Sequence, residues 1–268
     1  MTRSGVWLAD SSRKPAARIM MRVPTSTTAM AHDALDRVTL KSAIAHRLRW
    51  RAEAFDPRRA ANGSPRLATL RAWQAERLEA SFADVLADGR MHAAGRFFLS
   101  DLYADRDFSA RDRDVDRIMP IMVHLLPETM LRAARDAIEL HVLSHALDLR
   151  MVDAMARRRI NRLDAERYGE VYREAGLPRL RRRQIDLVVA VGRSLDAAVQ
   201  RHGVHRLLRA SRLPAKAAGL SELQGFLERG FDAFARLDGA EAFLQRVAAG
   251  EGEVSRRLFA GDPAPFSR

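Results

Sequence analysis

Apolar side chains recur at three- and four-residue steps along almost the whole chain beyond residue 31, which is the spacing of one face of an α-helix. In the first such stretch, Leu35, Val38, Ile44 and Leu48 share one side of a helix that we predict over 32–54. The same pattern predicts further helices over 65–88, 91–104, 127–158, 161–175, 178–202 and 204–212, one that opens at Ser109, and two near the end of the chain. No strand-like alternation of useful length competes. We therefore predict an all-α fold, a single domain of about eight to ten helices around one long central helix.

Proline and capping residues predict where several of these helices begin and end. Pro214 is expected to end the helix over 204–212, because proline has no N–H group to continue the hydrogen-bond ladder. Ser221 and Asp238 are each followed three residues later by a glutamine or glutamate, which is the spacing of a capping box. We therefore predict that Ser221 and Asp238 cap the last two helices.

Breaks in the apolar pattern divide the chain into three parts. Residues 1–31 carry serine, glycine and proline among five basic residues and one acid, Asp10, so we predict a disordered basic tail. Residues 32–262 form the predicted helical domain, and residues 263–268 form a C-terminal tail. No apolar run approaches the ~20 residues that span a bilayer, and none resembles a signal peptide. We therefore expect a cytoplasmic protein with no membrane span.

The amino-acid composition and the absence of certain motifs exclude several kinds of active site. The 268 residues include no cysteine, which excludes disulfide scaffolds, thiolate metal sites and cysteine nucleophiles. The sequence also has neither a glycine-rich phosphate loop nor the Gly-x-Ser-x-Gly turn of many hydrolases. The remaining candidates for chemistry are histidines and charged side chains.

The chain is strongly basic, with a formal net charge of +12. Of its 46 basic residues, only Lys14, Lys41 and Lys216 are not arginine. Two arginine clusters, at 157–159 and at 179–183, have no aromatic residues interleaved with them for stacking on bases. We therefore favour a solvated face or an acidic partner, and keep nucleic acid as an alternative.

The central helix carries the most specific candidate site. At about 100° per residue, His141, Ser144, His145 and Asp148 lie in one arc between two apolar faces. Two histidines and an aspartate are the ligands of a 2-His-1-carboxylate site for Fe or Zn, and His124 on the preceding segment is a possible fourth ligand. Haem binding falls under the same hypothesis. The alternative is a structural seam in which Asp148 accepts a hydrogen bond from His145.

A second candidate is the acidic stretch between Asp101 and Asp116. Its carboxylates could bind Mg²⁺, and Asp112, Asp114 and Asp116 resemble the start of a calcium loop. However, Arg117 stands where that loop needs glycine, and its final glutamate is missing. We therefore favour a structural loop whose acids cap the following helix.

The sequence Phe97-Phe98-Leu99-Ser100-Asp101-Leu102-Tyr103, followed by Asp107-Phe108-Ser109-Ala110-Arg111-Asp112, resembles a known signature. It is similar to that of a family of bacterial, mostly proteobacterial, helical proteins with an aromatic-Phe-Leu-x-Asp-Leu-Tyr-Gly…Asp-Phe-Ser-x-Arg-Asp pattern. Ala104 replaces the usual glycine here. The signature residues are Asp101, Tyr103, Asp107, Ser109, Arg111 and Asp112. The resemblance implies one intact domain in the bacterial cytoplasm and no particular reaction.

Most motifs in the sequence are therefore helix caps, kinks and core faces. We expect a non-enzymatic protein without a cofactor that acts by binding a partner protein, a second copy of itself or a small apolar ligand. The first alternative is a metal or haem protein that uses His141, His145, Asp148 and His124. The second is a nucleic-acid-binding protein that uses the arginine clusters.

Overall fold

The computed structural model describes residues 37–56, 58–102, 113–115, 117–119, 122, 124 and 128–267. Every regular element in this part of the chain is helical, which confirms the all-α prediction. The predicted basic tail, 1–31, lies outside the described residues. The helices are α1 (Arg37–Ala54), α2 (Pro65–Ser81), α3 (Ala83–Ala87), α4 (His92–Phe97), α5 (Glu128–Arg157), α6 (Ala165–Ala175), α7 (Pro178–Val199), α8 (Val204–Ala210), α9 (Arg212–Ala217), α10 (Ser221–Phe234) and α11 (Glu241–Ala260). A π-helical turn, Phe98–Leu102, continues α4.

Helix α5 is the centre of the fold. It packs against α1, α2, α6 and α7, because apolar residues lie on two opposite sides of it. One side buries Leu131, Ile138, Val142 and Val152, and the other buries Leu140, Leu143, Leu147 and Met151. Its bounds lie within one residue of those predicted. The polar arc between these faces is therefore held inside the protein.

One acidic side chain of α5 joins two of the surrounding helices. Glu139 accepts a hydrogen bond from Nε of Arg47 on α1 at 2.8 Å and another from Nε of Arg183 on α7 at 2.9 Å. The two guanidinium groups hold the pKa of Glu139 below its usual value even though its burial acts in the opposite direction. A single carboxylate thus ties α1 and α7 to the central helix.

An aromatic cluster closes one end of the core. The rings of Trp73 on α2 and Tyr168 on α6 stack with centroids 4.1 Å apart. Phe266 packs on both, at 5.4 Å from Trp73 and 6.0 Å from Tyr168. Phe266 belongs to the segment 263–268 that we predicted as a tail, and it contacts the core.

Several predicted helix ends differ from those observed. The helix predicted over 65–88 is divided at Phe82, whose side chain is buried and whose backbone leaves helical geometry at φ −113° and ψ 26°. Pro214 lies inside α9 instead of ending α8, because it occupies the first turn, where backbone N–H groups need no partner within the helix.

The two predicted caps are wrong. Leu220 and Ala240 are the N-cap residues of α10 and α11, and neither helix has a side-chain hydrogen bond at its cap. Ser221 is itself the first helical residue of α10, one position too late to act as the cap. By contrast, Asp164 caps α6 by accepting a hydrogen bond from the backbone N–H of Arg167 at 2.8 Å. Capping spacing in the sequence therefore identified helix starts without identifying the cap itself.

Close packing of α7 against α11 depends on Gly192. A Cβ atom at this position would clash with Cδ2 of Leu244 and lie 3.3 Å from its Cγ. Leu244 is itself buried, so its whole side chain would have to move. The glycine thus sets how closely the two helices approach.

We predict that Gly192→Ala lowers the free energy of unfolding by about 1–3 kcal/mol, the usual cost of overpacking a core. Urea unfolding monitored by circular dichroism measures the change. Gly252→Ala in α11 is the matched control, because a Cβ there meets no atom within 4 Å. Alanine at an open helical position should stabilise by about 0.5–1 kcal/mol. Equal effects at the two sites would contradict the packing argument.

Candidate functional site

His145, from the predicted metal arc, is buried and both of its ring nitrogens have partners within the chain. Nδ1 lies 3.0 Å from Nη2 of Arg71 on α2, and Nε2 lies 2.9 Å from Oδ1 of Asn62. Because arginine only donates, Nδ1 must accept, which leaves the proton on Nε2 for donation to Asn62. Asn62 is oriented by donating its amide to the carbonyl oxygens of Ala54 and Asp56 at 2.9 and 2.8 Å.

This environment keeps His145 neutral. Burial lowers the pKa of His145 to about 3, and the neighbouring Arg71 and His141 act in the same direction. The ring of Phe55 also stacks on both histidines, with centroids 3.9 Å from His145 and 4.5 Å from His141. His145 is therefore a neutral member of a packed polar seam.

Asp148 does not contact His145 directly, contrary to the structural alternative in our prediction. It accepts a hydrogen bond from Nε2 of Gln74 at 3.3 Å, and its second oxygen lies 3.6 Å from Nε of Arg71. Burial raises the pKa of Asp148, and Arg71 and Arg181 oppose that shift. Arg71 thus lies between the histidine and the aspartate and interacts with both.

The remaining predicted ligand, His124, is exposed, and its Nδ1 lies 3.1 Å from Nζ of Lys41. Among the described residues, no group of three histidines or acids is placed to hold a metal ion. The Fe, Zn or haem hypothesis thus gains no support from the geometry of His141, His145 and Asp148. It stays a prediction, to be checked by elemental analysis of protein purified without a histidine tag.

Asp101 is the signature residue whose side chain the structure describes. Its Oδ1 accepts hydrogen bonds from Nε and Nη2 of Arg229 on α10, at 2.9 and 2.6 Å, and Ser100 donates to Oδ2. The buried carboxylate thus attaches the π-helical turn to α10. The other signature residues, Tyr103, Asp107, Ser109, Arg111 and Asp112, lie outside the described residues.

Asp114, from the acidic stretch, is also buried and binds protein groups. Its Oδ2 accepts a hydrogen bond from the backbone N–H of Leu223 at 3.3 Å, in the first turn of α10. It also lines a pocket of about 470 Å³ together with Arg117 and Glu222. Asp114 therefore interacts with the first turn of a distant helix, and the predicted capping of the helix that follows the acidic stretch stays a prediction.

Most side chains of the two arginine clusters are paired with acids or buried. In the first, Arg157 and Arg158 pair with Glu174 and Glu170. In the second, Arg182 pairs with Asp186, Arg183 pairs with Glu139, and Arg181 points into the interior. Arginines that are neutralised by neighbouring acids or buried offer less free positive charge to a phosphate backbone.

The structure has a further basic surface that was not predicted from the sequence, which we call the basic arm and define as residues 201–217. It contains α8 and α9 and five basic residues, and no acid occurs between Asp196 and Glu222. Neither helix has a buried residue, and Leu207 and Leu213 are 69% and 79% exposed. The absence of acids over this stretch was the signal in the sequence.

The arm packs mainly against α10 and has fewer contacts with α7. His205 stacks on Phe231 with centroids 5.3 Å apart, and Gln224 donates to the carbonyl oxygen of Leu208 at 2.6 Å. Arg212 binds both carboxylate oxygens of Glu228. The other basic residues of the arm, Arg201, Arg206, Arg209 and Lys216, form no ion pair with an acid of the described chain. All four side chains are exposed, and Arg209 is near enough to Glu228 to help lower the pKa of that carboxyl group.

Comparison with known proteins identifies a family but no characterised relative. A family model described as "Domain of unknown function (DUF8198)" matches residues 54–265. No curated protein and no solved structure matches the chain significantly. None of the described helices is long and apolar enough to cross a membrane.

We predict that the free energy of unfolding falls as the pH is lowered from 6.5 towards 3. The unfolded chain protonates His145 in this range, whereas the folded chain does not, so protons favour unfolding. The contribution approaches about 1.4 kcal/mol per pH unit well below pH 6.5 and amounts to about 1.6 kcal/mol between pH 6.5 and pH 5. Urea unfolding at a series of pH values measures the slope.

His145→Gln is the comparison variant, because glutamine keeps a donor near Asn62 and does not titrate. The free energy of unfolding of the variant should fall less steeply with decreasing pH than that of the wild type, by about the contribution of His145 given above. Groups that titrate in both proteins, including Asp148, contribute about equally to the two slopes, so their contributions largely cancel when one slope is subtracted from the other. Parallel slopes would show that His145 takes up its proton over the same pH range in the folded and unfolded states, which would contradict the prediction.

Proposed function

For this chain, which belongs to the DUF8198 family of domains of unknown function, we propose a non-enzymatic interaction function. The basic arm binds an acidic surface on a partner protein. The observation that carries the proposal is the contrast between the interior and the arm. In the interior, histidines, acids and most arginines bind one another, whereas the arm combines unpaired basic residues with exposed leucines.

The composition of the arm suits a protein interface. Arginine is enriched at such interfaces, and exposed apolar side chains supply the area that becomes buried on binding. Leu207 and Leu213 lie on successive short helices with Arg206, Arg209 and Lys216 nearby in sequence. A partner with acidic residues around an apolar patch would complement both features.

A second copy of the chain is a poorer partner for the arm. The net charge of +12 makes two copies repel each other. An arm-to-arm contact would bring unpaired basic residues of the same sign together. Charge complementarity therefore favours a different, acidic protein over a homodimer.

We predict that the triple variant Arg206→Glu, Arg209→Glu, Lys216→Glu binds acidic partners at least about tenfold more weakly than the wild type, equivalent to about 1.4 kcal/mol or more. Poly-L-glutamate is the first probe, and its binding is measured by fluorescence anisotropy at several salt concentrations. Affinity for the wild type should fall as salt rises. Proteins captured from cell extract are then purified and titrated against each variant.

The matched control is Arg49→Glu, Arg90→Glu, Arg162→Glu. These three arginines are exposed and outside the arm, and their reversal changes the net charge by the same amount. The control should change binding by less than about threefold, since it leaves the arm intact. Equal losses in the two triple variants would show a general charge effect. A captured partner that still binds the arm variant, or no binding by the wild type, would refute the proposal.

A further inference from the structure

The basic arm is held to α10 mainly by polar contacts. Neither α8 nor α9 has a buried residue. Arg212 donates to the two carboxylate oxygens of Glu228 at 2.6 and 2.7 Å. Gln224 donates to the carbonyl oxygen of Leu208 at 2.6 Å and accepts from the hydroxyl group of Ser211 at 3.2 Å. Because exposed polar contacts add little stability and few apolar atoms are buried beneath them, such a segment opens more readily than a core helix.

A glycine with a left-handed backbone lies near each end of the arm. The φ angle is +87° at Gly203, the N-cap of α8, and +66° at Gly219, just before α10. Glycine enters left- and right-handed conformations about equally readily, so the backbone can change direction at both positions. Hinges are commonly a few residues at the ends of helices that absorb such changes. The arm can therefore turn as one unit while α7 and α10 stay folded.

Glu228 binds the arm in the same way that a carboxylate of an acidic partner would. In the described chain it is the acid that pairs with an arginine of the arm, and Arg212, together with the more distant Arg209, lowers the pKa of its carboxyl group. If a partner's carboxylate replaced Glu228, Arg212 would exchange one charge-assisted pair of hydrogen bonds for another of the same kind. Glu228 would keep the hydrogen bond that it accepts from Nε2 of Gln224 at 2.9 Å. The exchange thus leaves neither charged group without a partner.

One ring contact favours the attached position of the arm. The imidazole of His205 stacks on Phe231 with centroids 5.3 Å apart, and Phe231 is only 5% exposed. Separation uncovers this apolar ring and therefore costs free energy. A partner bound to the unpaired basic residues of the arm would hold its carboxylates close to Arg212, which raises their effective concentration there. Separation of the arm is therefore coupled to binding.

We propose that Glu228 is an internal competitor for the basic arm. The carboxylates of an acidic partner replace Glu228 at Arg212, and the arm then turns away from α10 about Gly203 and Gly219. The partner thereby gains the side of the arm that faces α10, including the half-buried Leu208, in addition to the exposed leucines. This inference rests on the proposed binding of an acidic partner by the arm.

A covalent lock tests the movement of the arm. The chain has no cysteine, so Ser211→Cys with Gln224→Cys supplies the two thiols that a short bismaleimide can join. The linked protein, in which the arm stays on α10, should bind poly-L-glutamate at least about tenfold more weakly than the same variant without the linker. Fluorescence anisotropy measures both affinities. Comparing linked with unlinked protein removes the effect of the two substitutions themselves, and equal affinities would overturn the inference.

Removal of the internal carboxylate tests the competition. Glu228→Gln frees Arg212 and should bind poly-L-glutamate at least about threefold more tightly than the wild type. Glu241→Gln is the matched control, because Glu241 binds Arg193 through both of its oxygens and lies outside the arm. It removes the same charge and should change the affinity by less than about 1.5-fold. Equal gains in the two variants would show a general charge effect and would contradict the role of Glu228.

Hydrogen exchange tests how readily the arm opens in the absence of a partner. Its hydrogen-bonded amides, such as those of Ser211 and Ala215, should exchange at least about tenfold faster than those of α10, and equal rates would overturn the inference. A wild-type protein that opens in this way but binds no acidic partner would refute the proposed function and this inference with it. Binding by the wild type, with equal affinities of the linked and unlinked forms, would refute this inference alone.

Discussion

The arrangement of the core depends on one requirement. Helix α5 is apolar on two sides, and the polar side chains between those sides need hydrogen-bonding partners inside the protein. Helix α5 is buried because both of its apolar faces need cover, and burial takes His145 and Asp148 out of water with them. Unpaired, such groups would oppose folding strongly. Arg71 resolves the conflict by reaching both from α2, and Asn62 supplies the acceptor that His145 still needs. The positions of α2 and of the loop before it follow from this requirement.

Much of the architecture was predictable from local pattern. The double-sided apolar spacing of 127–158 correctly predicted a buried central helix, and the glycine and proline at 176 and 178 marked the start of α7. The division at Phe82 was not predictable, because its buried ring packs against Phe98 of the π-helical turn and under the guanidinium of Arg246 on α11, both distant in the chain from α2 or outside it. Local spacing also cannot distinguish a cap from the first residue of a helix, as Ser221 shows.

The candidate sites show more clearly that local sequence spacing does not predict contacts with distant segments. The sequence placed His141, His145 and Asp148 in one arc of α5, but the partners of His145 lie more than seventy residues away in the chain. A pattern along one helix has no information about what a distant segment brings to it. The basic arm was missed for the opposite reason. Its leucines have the composition of a core face, and only the fold shows that they remain in contact with solvent.

The shared carboxylate of Glu139 has a consequence for how the protein can evolve. Since Arg47 and Arg183 bind the same side chain from two helices, the strength of either contact depends on the other. Loss of one arginine frees the carboxylate to adjust towards the remaining one, so the second loss has a different effect from the first. Positions 47 and 183 are therefore expected to be epistatic, although they are far apart in the chain.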